Sequence, residues 1–161
     1  MSYILSPERD EDCESAFTRY RAFLINEKER FPKNAFALAT SDWYFGADDH
    51  RVPHDAWLLK AIVEETGESP RQKRRAVSLR LQLVGAYHDL ELEFFYRRVY
   101  SYSFSPGLVE VGHGDWRYDE FRLSEQGHLL HEIQWCGIDN EATWVIEADD
   151  VEFSSKNHQA G

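Results

Sequence analysis

The stretch VSLRLQLVGAYHDLELEFFY, residues 77–96, decides the fold. Apolar residues occupy every second position from Val77 to Leu83, and the alternation returns from Leu90 to Tyr96 after a Gly-Ala-Tyr-His-Asp segment. A period of two is typical of a strand with one buried and one solvated face. Two such runs joined by a short, glycine-containing turn predict an antiparallel hairpin.

Further strands are predicted on the C-terminal side of this hairpin. Aromatic and β-branched residues favour a pleated, half-buried surface, and here they are concentrated in segments that Gly, Pro or Ser residues separate. The segments cover residues 99–104, 118–123, 128–135 and 142–153, the last of them bent near Asp149-Asp150. Together with the hairpin they predict an antiparallel sheet of about six strands.

The N-terminal region carries a helical pattern instead. Ser6 is a suitable N-cap, Pro7 suits the first helical position, and Pro32 ends the pattern. The apolar positions between them recur at helical spacing and are Ala16, Phe17, Tyr20, Phe23 and Leu24. We therefore predict an α+β fold in which one long N-terminal amphipathic helix, about residues 7–31, packs on a curled antiparallel sheet of about six strands.

Four segments outside these elements are less regular. Residues 34–40 (NAFALAT) fit either a strand or a helical turn, and residues 41–53 collect the Gly, Asp, His and Pro residues of a loop. Residues 55–66 fit both helical spacing and strand alternation, and a resemblance described below favours the strand. The last residues, 154–161, are expected to be disordered.

Size and composition indicate one soluble domain spanning residues 1–161. The chain is 42% hydrophobic and 14% aromatic, so it can bury a core without disulfides or metals. Its two cysteines, Cys13 and Cys136, lie far apart and lack metal-ligand spacing, which predicts reduced thiols in a cytoplasmic protein. We expect neither a signal peptide nor a membrane-spanning segment.

The charge is acidic and unevenly distributed. The net charge is −11, and from Leu108 onward twelve acidic residues stand against three basic ones. This balance disfavours nucleic acid and membranes as partners, because phosphate binding requires clustered Lys and Arg, and the one basic cluster, residues 71–75, is predicted to be a solvated loop. The balance suits a basic protein partner, whose predicted contacts are Glu147, Asp149, Asp150 and Glu152.

One loop contains residue types that bind metals. Asp42, His50 and His54 lie among further aspartates, and carboxylate and imidazole groups bind Zn, Mn and Fe. Pro53 prevents the two histidines from sharing a helix face, and aspartate-rich loops commonly cap their own backbone N–H groups. We therefore expect turns here and predict no cofactor, and we keep the three residues as candidate metal ligands.

A second loop, residues 112–115, contains the best candidates for catalysis. His113 beside Asp115 has the residue types of a general base and its orienting group, and Asp119 follows on the next strand. Adjacent strand residues point to opposite faces, which argues against a glycosidase pair formed by Asp119 and Glu120. We favour a structural turn over catalysis.

Two Asp-Trp corners open apolar segments at Trp43 and Trp116. They could flank one aromatic small-molecule pocket, or they could be unrelated strand ends packed on the core. His131 shares the strand parity of Leu129 and Ile133 and is expected to be hydrogen-bonded in the core.

Three short motifs resemble sequences of small uncharacterised bacterial proteins: PHDAWL (53–58), GAYHD (85–89) and GDWRYDEF (114–121). Some of those proteins are similar to immunity proteins of contact-dependent or polymorphic toxin systems. The resemblance implies a strand that opens near Asp55, and it carries no catalytic residues with it. An acidic surface on an immunity-like protein would suit a basic toxin.

Two functional hypotheses follow. The first is a non-catalytic binding protein, immunity-like, that uses an acidic surface. The second is a small enzyme or ligand-binding protein whose site lies between the loops at 42–55 and 113–119. This second hypothesis requires both loops to lie on one rim of the sheet.

Overall fold

The computed structural model describes residues 1–67, 75–105, 109–138 and 141–159, which form an α+β fold. Most of the predicted basic cluster, at 71–74, lies outside the described residues. Within them, no helix is both long enough and apolar enough to cross a membrane.

The predicted single helix over residues 7–31 is wrong. A 3-10 helix spans Pro7–Asp10, helix α1 spans Cys13–Asn26 and helix α2 spans Lys33–Ala39. The Asp12 side chain accepts a hydrogen bond from the Ser15 N–H at 3.0 Å, so it caps a new helix where the pattern had suggested a continuous one.

The turn between α1 and α2 buries a phenylalanine. Phe31 is 7% exposed, and its ring centroid lies 6.1 Å from that of Phe23 and 6.3 Å from that of Phe36. Pro32 follows as the N-cap of α2, a position that needs no backbone N–H. Residues 33–39 are therefore helical, which decides between the two alternatives for the segment at 34–40.

Eight strands form one antiparallel sheet in the described part of the chain, in the order β4-β7-β6-β5-β1-β2-β3-β8. The predicted hairpin is β2–β3, in which Leu81 pairs with Phe94 and Leu83 with Leu92. The strand bounds are β1 Trp57–Thr66, β2 Ala76–Val84, β3 Leu90–Tyr96, β4 Val99–Ser105, β5 Asp115–Leu123, β6 Leu129–Cys136, β7 Glu141–Ala148 and β8 Glu152–Asn157.

The expected strand number of about six was too low for two reasons. Residues 57–66 form strand β1, and the segment predicted as one bent strand at 142–153 forms two strands, β7 and β8. The turn between them is held by Val151, which is fully buried, and by Asp150, which caps α2. Strand β8 pairs with β3 as far as Asn157, so the expectation of a disordered tail is wrong for residues 154–157.

The sheet curls so that its two ends meet. Strands β3 and β4 lie near opposite ends of the strand order, yet only Arg97 and Arg98 separate them along the chain. Strands β7 and β8 are similarly distant in the order and are joined by residues 149–151. Because such short links span on the order of 10 Å, the outer strands must approach each other. The Asp149 N–H indeed donates to the Arg98 carbonyl at 3.3 Å.

The pairing between β1 and β5 is very short. These two strands share one residue pair, Trp57 with Asp115. Further along β5, the Tyr20 hydroxyl of α1 takes the place of a neighbouring strand: it donates to the Phe121 carbonyl at 2.9 Å and accepts from the Phe121 N–H at 2.8 Å. Helix α1 is thereby fixed against the sheet where the strand ladder is open.

The core lies between the curled sheet and the helices and is dominated by aromatic side chains. Its largest fully buried members include Trp116, Trp135, Trp144, Tyr20, Tyr44, Tyr96, Phe94 and Phe121. This burial explains the high aromatic content of the sequence.

Candidate functional site

The two loops of the second hypothesis do meet. The Asp55 N–H donates to the Trp116 carbonyl at 2.8 Å, and the Trp116 N–H donates to the Ala56 carbonyl at 3.0 Å. His54 Nδ1 lies 2.5 Å from the Arg117 carbonyl oxygen. A small cavity of about 270 Å³ lies between them, with Tyr44 and His54 among its walls. The geometric condition of that hypothesis is therefore met.

The two glycines of the loop at 112–115 both have positive φ, and Gly114 packs closely against other backbone. Gly114 has φ +82°, and a Cβ atom there would lie 2.3 Å from the Cys136 carbonyl oxygen. Only glycine permits this approach of the loop to the end of β6. His113 packs its ring against Trp144 and Trp135, with centroids 5.3 and 6.2 Å away. Close packing thus explains Gly114 and the position of His113. A Cβ at Gly112 would meet no atom within 4 Å, and its φ of +89° is what favours glycine there.

The candidate catalytic residues are not joined into one group. Asp119 is 3% exposed and contacts His131, a residue of the core, with Asp119 Oδ2 2.7 Å from His131 Nε2. Asp115 is the first residue of β5 and forms its single pair with β1, whereas His113 lies against the tryptophans of β6 and β7.

Asp119 and His131 form the centre of a buried polar network. Asp119 also accepts hydrogen bonds from the Tyr44 hydroxyl at 2.7 Å and the Trp116 Nε1–H at 3.1 Å. The Tyr96 hydroxyl lies 2.6 Å from His131 Nδ1. Every contact is satisfied when His131 carries its proton on Nε2, donates it to Asp119 and accepts from Tyr96. A His–Asp pair has the chemistry of a general base, but His131 is 0% exposed, and Asp119 is the member of the pair that borders the cavity between the loops.

Glu120 faces the opposite side of β5, as the strand geometry predicts. It is 0% exposed, and its Oε2 accepts from the N–H groups of Tyr3, Ile4 and Leu5 at 3.0, 2.7 and 3.2 Å. Arg122 contacts Glu120 and also Glu132. This carboxylate therefore anchors the N-terminal segment, a role that the sequence pattern gives no sign of.

Three buried tyrosines have raised pKa values: Tyr44 and Tyr96 in this network, and Tyr20 on α1. Burial raises the pKa of Tyr44 well above its ordinary value, and the neighbouring Asp119 carboxylate raises it further. Burial likewise raises the pKa of Tyr96, again with Asp119 adding to the effect. Burial also raises the pKa of Tyr20, against the smaller opposing effect of its hydrogen bond to the Phe121 backbone. All three side chains are held in the neutral form.

These shifts predict a loss of stability in alkali. Above about pH 10 the three tyrosines ionise in the unfolded chain but stay protonated in the native state, so the native state binds more protons and its stability falls as pH rises. Each adds a slope of about 1.4 kcal/mol per pH unit. Urea unfolding between pH 8 and 11 should show a flat region and then a steep decline. Absorbance at 295 nm follows ionisation of the tyrosines. Ionisation of these three near pH 10 in the native protein, without loss of stability, would contradict the prediction.

The candidate metal ligands are separated. His50 Nδ1 lies 2.6 Å from Asp89 Oδ2, and its ring stacks on Tyr87 at 4.0 Å. His54 contacts the Arg117 carbonyl, and Asp42 lies beside α2. In the described ranges, no three His, Cys, Asp or Glu side chains are placed to hold one metal ion.

The acidic residues predicted to bind a basic partner all have intramolecular partners. Asp150 accepts from the Asn34 and Ala35 N–H groups at 3.0 and 2.9 Å. The other three contact neighbouring basic or hydroxyl groups: Glu147 with His128 and Ser101, Asp149 with Tyr100 and Arg98, and Glu152 with Arg97. Their role towards a partner stays a prediction.

The two tryptophans of the Asp-Trp corners differ in position. Trp116 is fully buried and forms part of the polar network. Trp43 is half-buried, its ring covered by the Arg51 guanidinium at 4.3 Å and packed on Phe153 at 5.3 Å. The structure therefore does not bring them into one exposed aromatic pocket.

A groove of about 800 Å³ lies between α1 and α2, and we call it the α1/α2 groove. Phe17, Tyr20, Phe36 and Phe45 supply its aromatic lining. Arg21 and Ile25 line it from α1, and Lys28 lines it from the turn that follows α1. The α1/α2 groove could not be predicted from a single long N-terminal helix, because such a helix leaves no second helix to form the opposite wall. The signal was Pro32 followed by the apolar segment that became α2.

Comparison with known proteins supplies no further assignment, since no family model matches the chain and a search of curated proteins finds no match.

Proposed function

We propose that this protein is a non-catalytic binding protein and that the α1/α2 groove is its binding site. The observation that carries the proposal is the aromatic lining of the groove by four side chains from α1, α2 and the loop that follows. Its volume of about 800 Å³ lies in the range of small-molecule sites, roughly 300–1,000 Å³. The site overlaps the small cavity between the loops, because Phe17, Phe45 and Gly46 border both.

The charges on the rim indicate the class of ligand. Arg21 lies on α1 and Lys28 in the turn that follows it, and Ile25 lies between them along the chain. Neither forms an ion pair with a residue that the structure describes. Glu14 and Asp42 also border the groove. We propose an elongated apolar ligand with an anionic group that lies against Arg21 and Lys28.

The position of the reactive side chains supports binding rather than catalysis. The α1/α2 groove itself is lined by no histidine or cysteine among the described residues, whereas Cys13 and His54 border the adjoining cavity between the loops. The Asp119–His131 pair, which has the chemistry of a general base, lies in the core beneath Phe94 and Phe121. A ligand in the groove would therefore meet aromatic faces, the cations Arg21 and Lys28, and the carboxylates Glu14 and Asp42.

The proposal predicts saturable binding of 8-anilinonaphthalene-1-sulfonate, which has an aromatic body and a sulfonate. Arg21→Glu combined with Lys28→Glu should weaken binding roughly tenfold, since two attractive ion contacts become repulsive. The same double variant should leave the affinity for the neutral dye Nile red unchanged. Fluorescence titration measures both affinities.

The apolar part of the site is tested with a matched pair of variants. Phe36→Ser should weaken binding of both dyes by at least about tenfold, since a buried aromatic contact is lost. Ile138→Ser removes an 87% exposed apolar side chain outside the groove and should change neither affinity. Thermal unfolding confirms that each variant is folded. Equal losses in the two variants, or fluorescence that never saturates, would refute the proposal.

A further inference from the structure

Strand β1 has an open edge although it lies in the middle of the strand order. It pairs with β2 along its whole length, but with β5 only at Trp57. In the described part of the chain, residues 58–66 therefore have no strand on their second side. An open edge presents a row of unpaired N–H and C=O groups to any strand that approaches.

The edge is also apolar and exposed. Trp57, Leu59 and Val63 are 50%, 44% and 41% exposed. Val63 pairs with Leu79, which is fully buried, so its side chain points to the core face of the sheet and yet is not covered. Exposed apolar residues along an open strand edge are typical of a surface that adds another strand.

We propose that this edge binds the same edge of a second copy of the protein, in an antiparallel arrangement centred on Ile62. The sequence of β1 is self-complementary in this register. Lys60 lies opposite Glu64 of the second copy, and Glu64 lies opposite Lys60 of that copy. Ala61 lies opposite Val63 of the second copy. The second copy therefore covers the part of the core face of β1 that is exposed in a single chain.

Symmetry leaves few other registers. A two-fold axis perpendicular to the sheet preserves the face on which each side chain lies, so Lys60 can oppose only residues an even number of positions away. A register centred on Ala61 sets Lys60 against Ile62, and one centred on Val63 sets it against Thr66. Among the residues of β1, Trp57–Thr66, only the register centred on Ile62 sets Lys60 against an acidic residue, and opposite charges stabilise directly opposed pairs.

The strands at the two ends of the order lack this feature. Strand β4, Val99–Ser105, contains no charged residue that could fix a register. Strand β8 contains Glu152 and Lys156, but these already pair with Arg97 and Glu91. In contrast, Lys60 and Glu64 form no ion pair with any described residue.

A charge-swap experiment tests the register. Sedimentation velocity of the full chain, from low to high micromolar concentration, should show a monomer–dimer equilibrium. Lys60→Glu and Glu64→Lys should each raise the dimer dissociation constant about tenfold, because both symmetric pairs become repulsive. The double variant should restore the wild-type constant. Lys60 and Glu64 are both exposed, and circular dichroism checks that each of the three variants is folded.

Cross-linking gives an independent measurement of the same register. In a chain with Cys13→Ser and Cys136→Ser, Ile62→Cys should form an intermolecular disulfide on mild oxidation, since directly opposed Cβ atoms lie about 4.5–5.5 Å apart. Ser103→Cys, on the exposed strand β4 outside the proposed interface, is the control and should form no intermolecular disulfide. A wild-type chain that is monomeric throughout would overturn the proposal, and Lys60 would then be a charge that protects the edge from pairing. A dimer that the single charge reversals do not weaken would also overturn it.

Discussion

Replacing Asp119 by alanine should lower the free energy of unfolding by about 3–5 kcal/mol, because buried polar groups left without partners carry the full cost of their desolvation. The substitution removes the acceptor of Tyr44, Trp116 and His131 at once. All three groups are in the core and cannot turn to water. Urea unfolding followed by tryptophan fluorescence measures the loss.

A neighbouring carboxylate provides the control for Asp119. Asp115→Ala, at the start of the same strand, removes a half-buried side chain and should change the free energy of unfolding by less than about 0.5 kcal/mol. Asp119→Asn keeps the shape and one acceptor oxygen and should lose less than the alanine variant. If Asp119→Ala were as stable as Asp115→Ala, the network would not hold the core together. If the alanine variant does not fold, the asparagine variant still gives the comparison.

Replacing Glu120 by alanine should cost a similar amount, about 3–5 kcal/mol, because it breaks a buried ion pair and frees backbone donors. The loss should have a local signature. The amides of Tyr3, Ile4 and Leu5, which donate to Glu120, should exchange with solvent much faster than in the wild-type protein. Hydrogen exchange measured by NMR at these three amides detects the effect separately from global stability.

Glu132→Ala is the matched control for Glu120. Glu132 lies directly opposite Glu120 on β6, and both contact Arg122. Removing Glu132 takes one carboxylate from the same arginine but leaves the three amides bonded to Glu120. It should therefore reduce stability less and leave the exchange of residues 3–5 unchanged. Equal exchange at these amides in both variants would contradict the anchoring role of Glu120.

These expected losses bear on the functional argument. A His–Asp pair in the sequence invites a catalytic interpretation, but Asp119 and His131 lie in the core, where they satisfy each other and three neighbours. The stability tests of Asp119 and the dye titrations of the α1/α2 groove address different parts of the molecule. A destabilised network with intact dye binding would be consistent with both assignments.

The strands with strict alternation could be predicted from the sequence, and the interrupted elements could not. Leu79, Leu81 and Leu83 are fully buried because alternation places them all on one face. The prediction of one helix over 7–31 was wrong because helical spacing of apolar residues continues across the breaks. The first break depends on the hydrogen bond from the Ser15 N–H to Asp12, and the second on the burial of Phe31. The sequence predicts one bent strand where the structure has a turn at Asp149–Val151 between two strands. This turn caps α2 through Asp150, and the sequence pattern does not show it because α2 lies more than 100 residues away.

The sequence by itself determined the class of fold, an α+β fold with an antiparallel sheet, a helical N-terminal region and an aromatic core, because periodicity and composition are local properties of the chain. It also indicated that His131 belongs to the core and that Asp119 and Glu120 face opposite sides of their strand. Only the tertiary structure decided that Asp119 bonds to His131, that Glu120 holds the N-terminus, that α1 and α2 form a groove and that β1 keeps an open edge. Each of these depends on which distant segments meet, and a contact between segments leaves no periodic signal in either one.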